Sequence, residues 1–212
     1  MPMTKTKEIE KIEFNSKNYE KIEFIYGIAI KEIKHKLEIL KEEYKMFYNY
    51  DLIDHINERI KSKESISKKM TKKGIDFTYS KMIENINDIA GVRVICPLKK
   101  DIYTIRKLIT NLPGIKILKE KDYITNPKKS GYSSYHMILE VPVTLSKNSV
   151  YVKVEVQIRT MAMDFWSTTE HKIKYKAKNK LSKIDSMKMV QYAKIINKLD
   201  EKITKINSKY IG

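Results

Sequence analysis

The run Tyr151-Val-Lys-Val-Glu-Val-Gln-Ile-Arg-Thr160 decides how this chain is read. It alternates apolar and polar without a slip. Side chains of an extended strand point to opposite faces in turn, so Val152, Val154, Val156 and Ile158 share one face. Lys153, Glu155, Gln157 and Arg159 share the other. The polar row has two readings. One is the solvated outside of an edge strand, with Lys153 and Arg159 neutralising Glu155. The other is a surface for phosphate and metal, since it lines up a cation, an acid, an amide and a guanidinium.

Working outward, residues 135–142 predict a neighbouring strand. Residues 145–148 form the hairpin turn, so the two strands are antiparallel. Gly91-Val-Arg-Val-Ile-Cys96 begins the sheet, and residues 115–119 supply one more strand. Over 18–48, Ile22, Ile25, Ala29, Ile33, Leu37 and Leu40 recur at helical steps. Residues 51–73 read as one or two further helices, stopped by Gly74. Short helices are expected over 77–87 and over 101–112, the latter with Asp101 as N-cap. Residues 161–176 and 182–208 close the chain as helices, and residues 1–17 are polar and frayed or loosely helical. The class is α+β: a small mixed sheet wrapped by helices at both ends.

A length of 212 residues suits one domain with helical additions. A net charge of +17 points to an acidic partner such as nucleotide, nucleic acid or a membrane surface, although abundant Lys, Ile and Asn also fit an AT-rich coding bias. Cys96 is the only cysteine, which excludes an intrachain disulfide and fits a reducing cytoplasm. The chain starts without a signal-peptide pattern, and no apolar run approaches the ~20 residues of a membrane span. No Walker-A loop, Rossmann fingerprint, Gly-x-Ser-x-Gly elbow or Cys/His zinc spacing is present.

Two further segments carry candidate chemistry. In Asp88-Ile-Ala-Gly-Val-Arg93 a helix passes into a strand, and a carboxylate at a helix C-terminus suits a cation to bind. Arg93, between core valines, wants a carboxylate, a phosphate or an aromatic face. Asp88 and Glu155 together form a pair suited to Mg²⁺ with phosphate oxygens completing the shell. In Lys128-Lys-Ser-Gly-Tyr-Ser-Ser-Tyr-His136, extended backbone puts Tyr132, Ser134 and His136 on one face. Tyr132 is placed to stack on a base and His136 to hydrogen-bond one. Arg59, Lys61, Lys68 and Lys69 read by themselves as a solvated helix face.

Taken together, Asp88-Ile-Ala-Gly-Val-Arg93, Gly131-Tyr-Ser-Ser-Tyr-His136 and Glu155-Val-Gln-Ile-Arg-Thr160 resemble the RelA/SpoT-type (p)ppGpp synthetase domain. The helical flanks resemble the stand-alone small alarmone synthetases of the RelQ/RelP type. The resemblance spans residues 22–199. It implies a nucleotidyltransferase-like fold with N- and C-terminal helical extensions, arranged as a helical region (1–50), a catalytic core (51–176) and a C-terminal helix (177–212). The implied activity is transfer of pyrophosphate from ATP to the 3′-hydroxyl of GDP or GTP, without hydrolysis. Asp88 and Glu155 would be the Mg²⁺ carboxylates, with Glu155 also helping to deprotonate the hydroxyl. Arg59 and Arg93 would sandwich adenine, and Lys61 and Lys69 would reach the ATP phosphates. Lys128, Tyr132, His136, Gln157 and Arg159 would hold the guanine nucleotide. A homotetramer and regulation by single-stranded RNA or an alarmone are also implied. Two rivals stand beside this: another Mg²⁺-dependent nucleotidyltransferase, and a non-catalytic RNA-binding module.

Overall fold

The computed structural model describes residues 16–177 and 181–210. The expectation for the polar N-terminal residues therefore lies almost wholly outside them. In chain order the elements are α1 (Ser16–Tyr48), β1 (His55–Ile60), α2 (Lys63–Lys73), α3 (Tyr79–Asn85), β2 (Ala90–Cys96), α4 (Lys99–Thr110), β3 (Lys116–Asp122), β4 (Tyr135–Thr144), β5 (Ser149–Thr160), α5 (Met161–Lys176) and α6 (Lys183–Tyr210). The five strands form one mixed sheet in the order β1-β2-β5-β4-β3, with β2 and β5 parallel and the other pairs antiparallel.

The alternating run is β5, and it is the central strand, hydrogen-bonded to β2 on one side and β4 on the other. This removes the edge-strand reading of its polar face. Val152, Val154, Val156 and Ile158 are buried, as are Met137, Leu139, Val141 and Val143 of β4. Each such side chain is worth roughly 1.5–3 kcal/mol of apolar burial. A slip of one residue would bury Glu155 instead, so the pattern fixes the register. Helix α1 covers this face with Ile22, Tyr26, Ala29, Ile33 and Leu37, all buried and three or four residues apart, and with Ile30 beside them.

Three expectations need correction. Residues 55–60 are not helical. His55-Ile-Asn-Glu-Arg-Ile60 is a polar edge strand, specified by its antiparallel ladder to β2 rather than by any local apolar alternation. Arg59 therefore lies on a strand and Lys61 just beyond it, with only Lys68 and Lys69 on a helix. Second, Asp101 is not the N-cap of α4, a position held by Leu98. The Asp101 carboxylate instead accepts from Leu98 N–H (3.0 Å) and from the Tyr50 hydroxyl (2.7 Å), tying the segment after α1 to α4. Third, Ser134 leaves the face of Tyr132 and His136. It is buried and donates to the Ile158 carbonyl.

Gly74 does end α2, in the left-handed conformation at φ 62°. Lys153 has a structural partner rather than Glu155: its ammonium donates to the carbonyls of Ile83 and Glu84, both at 3.1 Å, closing the C-terminal turn of α3. Thr160 caps α5, and its hydroxyl donates to buried Asp200 of α6 (2.8 Å), so the last helix is anchored where β5 becomes α5.

Candidate active site

With one face of the sheet covered by α1, the polar row of β5 looks into the open side. The parallel register sets Gly91 opposite Glu155 and Arg93 opposite Gln157. The antiparallel ladders bring His136 opposite Gln157 and Arg59 opposite Gly91. Arg59 packs over Gly91, its Cγ 3.7 Å from where a Cβ would stand, an ordinary contact distance. A cavity of about 510 Å³ opens here. It is lined by Arg59, Asp88, Arg93, Lys128, Tyr132, His136, Glu155, Gln157 and Arg159, with Ser167, Thr168, Glu170, His171 and Lys172 of α5 closing one side. Lys61 and Lys69 reach it through Asp88, donating to its two oxygens at 2.5 and 2.7 Å.

The hydrogen bonds around Glu155 close into a ring. His136 Nδ1 lies 3.0 Å from one Glu155 oxygen, and Gln157 Nε2 donates to the other at 2.8 Å. The far side of His136, Nε2, lies 2.7 Å from the Tyr132 hydroxyl. Arg159 Nη2 donates both to that hydroxyl and to Gln157 Oε1, each at 2.7 Å. The chemistry of the groups orders the ring. A guanidinium only donates and an ionised carboxylate only accepts. Tyr132 therefore donates to His136 Nε2, and the imidazole donates from Nδ1 to Glu155. Arg159 does not neutralise Glu155 directly; its Nη1 pairs with Asp164 instead.

Both candidate metal carboxylates are held ionised. Burial pushes Asp88 up, but the hydrogen bonds and charges of Lys61 and Lys69 outweigh it and hold Asp88 below the ordinary aspartate value. Burial likewise raises Glu155, and the bonds from His136 and Gln157 overcome it, leaving a net lowering. Burial and the neighbouring Arg159 charge push Arg93 down against the pull of Asp164.

Two subsites flank the carboxylates. Between β1 and β2, Arg59 and Arg93 line a cavity of about 180 Å³ together with Asn57, Glu58 and Gln157. On the other side Asp88, Lys128, His136 and Glu155 border a cavity of about 230 Å³, ringed by Lys69, Lys73, Lys119 and Lys121. The Lys128 ammonium lies 4.6 Å from the Tyr123 ring centre and 4.5 Å from that of Tyr132. This selects Lys128 over Lys129 as the residue at the cavity.

Sequence reading missed Tyr123 and Asp164. Tyr123 sits in the loop after β3 and meets His136 edge-on at 5.2 Å. Nothing local marks it. Asp164 looks in sequence like any acid in the first turn of a helix, where the helix dipole favours one. Its signal was proximity to Arg159, five residues earlier.

Residues 58–180 match the family described as the region found in RelA / SpoT proteins. The chain is 42% identical to the GTP pyrophosphokinase YwaC of Bacillus subtilis, over 87% of this chain and 88% of that one. Among solved structures, it superposes on small alarmone synthetase 1 of Bacillus subtilis bound to its product pppGpp with a TM-score of 0.87 at 28% identity, covering 93% of this chain and all of that one. Small alarmone synthetase 2 of the same organism gives a TM-score of 0.83 at 39% identity, covering 91% and 99% of the two chains.

Proposed function

The chain belongs to the RelA/SpoT family, and from that premise we propose how its cavity acts as a GTP pyrophosphokinase. The enzyme transfers the pyrophosphoryl group of ATP to the ribose 3′-hydroxyl of GDP or GTP, making guanosine alarmones. The acceptor's 3′-oxygen bonds to the β-phosphorus, the bond from that phosphorus to the α–β bridging oxygen breaks, and AMP leaves with that oxygen. Such transfers are catalysed mainly by positioning and by offsetting charge.

The observation that carries the site assignment is an ionised Glu155, oriented at both oxygens by His136 and Gln157, beside an ionised Asp88 in a cavity rimmed with cations. Glu155 takes the proton of the attacking hydroxyl. Tyr132 stacks on guanine, and Lys128, His136, Gln157 and Arg159 hold the acceptor. The lysines of the 230 Å³ cavity suit its 5′-phosphates. Arg59 and Arg93 sandwich adenine in the 180 Å³ cavity. Lys61 and Lys69 exchange the Asp88 carboxylate for ATP phosphate oxygens.

Asp88 and Glu155 fit Mg²⁺ by donor type: both are ionised and offer only oxygen. Among the described residues there is no cluster of three or more acidic, His or Cys ligands, and the substrate phosphates and water would supply the remaining oxygens. When bound, Mg²⁺ neutralises charge on the phosphate oxygens. The catalytic core is taken as 51–176, flanked by helical regions.

Incubating the protein with Mg²⁺, labelled ATP and GDP or GTP should yield AMP and a 3′-diphosphorylated guanosine together. Failure with every guanine nucleotide overturns the reading. Free pyrophosphate as product would mark a different nucleotidyltransferase.

A homotetramer is part of the proposal. Ile184, Met187, Ile195, Leu199 and Ile206 of α6 are half or more exposed, as are Met46 and Phe47 at the end of α1. A monomeric mass by light scattering would reject it. Regulation by single-stranded RNA or an alarmone is supported by the +17 charge; salt-insensitive or absent RNA binding would exclude the RNA form. Among the described residues no helix is long and apolar enough to cross a membrane, and a cytoplasmic setting fits the buried, unpaired Cys96 thiol.

A further inference from the structure

We infer that Asp164 is a positioning residue that sets the two nucleotide subsites against each other, an inference that rests on the site reading above. One oxygen of Asp164, on the first turn of α5, accepts from Arg93 Nη1 at 3.1 Å and from Arg159 Nη1 at 3.0 Å. Arg93 belongs to β2 and to the adenine subsite. Arg159 belongs to β5 and carries the ring through Tyr132 and Gln157 to Glu155. A single carboxylate thus links the group that holds the donor base to the groups that orient the acceptor and its base.

The guanidiniums need this partner. Arg159 is 4% exposed. The Nε atoms of both Arg93 and Arg159 are buried and make no hydrogen bond among the described residues. The two cations repel each other, and each lowers its burial cost chiefly through the charge-assisted bonds it does make. Without the Asp164 charge, the buried Arg159 and the part-buried Arg93 guanidiniums would no longer be held together. The distance between subsites would widen and the Glu155 ring would lose its anchor. Asp164 reaches the site only through the arginines, so it is a positioning residue and not a catalytic one. Its rigidity comes from its place four residues after Thr160, which caps α5 and is itself held by Asp200.

The test is steady-state kinetics of Asp164→Asn, which keeps the shape and one accepting oxygen but not the charge. A misplacement of reacting groups by ~1 Å costs about 100-fold, so kcat should fall about 10- to 100-fold, with KM raised for both ATP and the acceptor. Removing the charge should also lower the melting temperature, so the kinetics are read well below the variant's own unfolding transition. Asp164→Glu keeps the carboxylate and should recover part of kcat, whereas Asp164→Ala should not. Arg159→Lys combined with Asp164→Asn should be little worse than Arg159→Lys alone, because the two act as one unit. A kcat within twofold of native for Asp164→Asn, or losses that simply multiply in the double variant, overturns the inference while leaving the activity intact. If the native protein makes no product, the activity reading has failed instead. Binding of a fluorescent ATP analogue and of GDP then decides the inference: Asp164→Asn should weaken both about tenfold, and unchanged binding overturns it.

Discussion

Replacing Gly131 by alanine probes how the acceptor loop is built. Gly131 has φ 86°, in the left-handed region where a Cβ is disfavoured. Its N–H donates to the Lys128 carbonyl at 2.8 Å, and Lys128 N–H donates to Tyr132 O at 3.0 Å, so the turn presents Lys128 and Tyr132 together. An added Cβ would lie less than 3.0 Å from the Cβ of Ala193, closer than such atoms approach in proteins, and 3.7 Å from Trp166. Ala193 is 2% exposed on α6, and its Cβ is fixed to the helix backbone, so it cannot swing away. The backbone term costs about 1–2 kcal/mol and the overpacking about 1–3 kcal/mol, together about 2–5 kcal/mol. In a chain of this length each kcal/mol lowers the melting temperature by about 2–4 °C, so calorimetry should show a fall of roughly 4–20 °C. Acceptor KM should rise, because Tyr132 is the next residue. Adding Ala193→Gly removes the clash but leaves the φ term and adds about 1 kcal/mol for glycine within a helix. The double variant should therefore be less destabilised than the sum of the singles by about 1–3 kcal/mol. Additive singles, or a Gly131→Ala loss below about 1 kcal/mol, would refute the packing argument.

Three other outcomes follow from the geometry. Glu155→Gln preserves shape but cannot take a proton, so kcat should drop about 100-fold or more with the fold intact; retention of a tenth of native turnover would remove Glu155 from its role. Lys153→Met loses the two bonds to the end of α3 and should cost about 1 kcal/mol in urea unfolding, with kcat unchanged; a tenfold drop in kcat would place Lys153 in the site after all. The melting temperatures of Asp88→Asn and Asp200→Asn, each relative to native, should move in opposite directions with pH. Asp88 is held below its ordinary value, so its stabilisation is present above about pH 4 and is lost as pH falls further; the deficit of Asp88→Asn should shrink in acid. Burial raises Asp200 despite the Thr160 bond, so its favourable protonated state is lost as pH rises, and Asp200→Asn should gain on native as pH rises above about 4. Parallel trends for the two variants would contradict the shifts.

Much of the fold was legible where one residue's neighbours are local. The β5 alternation, the α1 stripe and the Gly74 stop each depend on a short stretch of backbone and its burial. The failures are of another kind. His55-Ile-Asn-Glu-Arg-Ile60 became a strand only because β2 offered a ladder, and the Asp101 carboxylate, at the third residue of α4, is shared between the local Leu98 N–H and Tyr50, far away in sequence. Lys153 had no role to be found locally, since its partners are carbonyls 69 and 70 residues away.

The sequence by itself determined which face of β5 is polar, and which residue types could meet phosphate, metal and base, because side-chain chemistry and period-two geometry need no partner to be known. Only the tertiary structure decided that this face is central rather than at an edge, that Glu155 is held by His136 and Gln157 rather than by Lys153 and Arg159, and that Asp164 joins Arg93 to Arg159. Gln157 and Asp164 are near Glu155 and Arg159 in sequence, but His136 and Arg93 reach them from 19 and 71 residues away. Strand order and joint burial decide which of the possible partners meet, and a window of neighbouring residues does not contain that information.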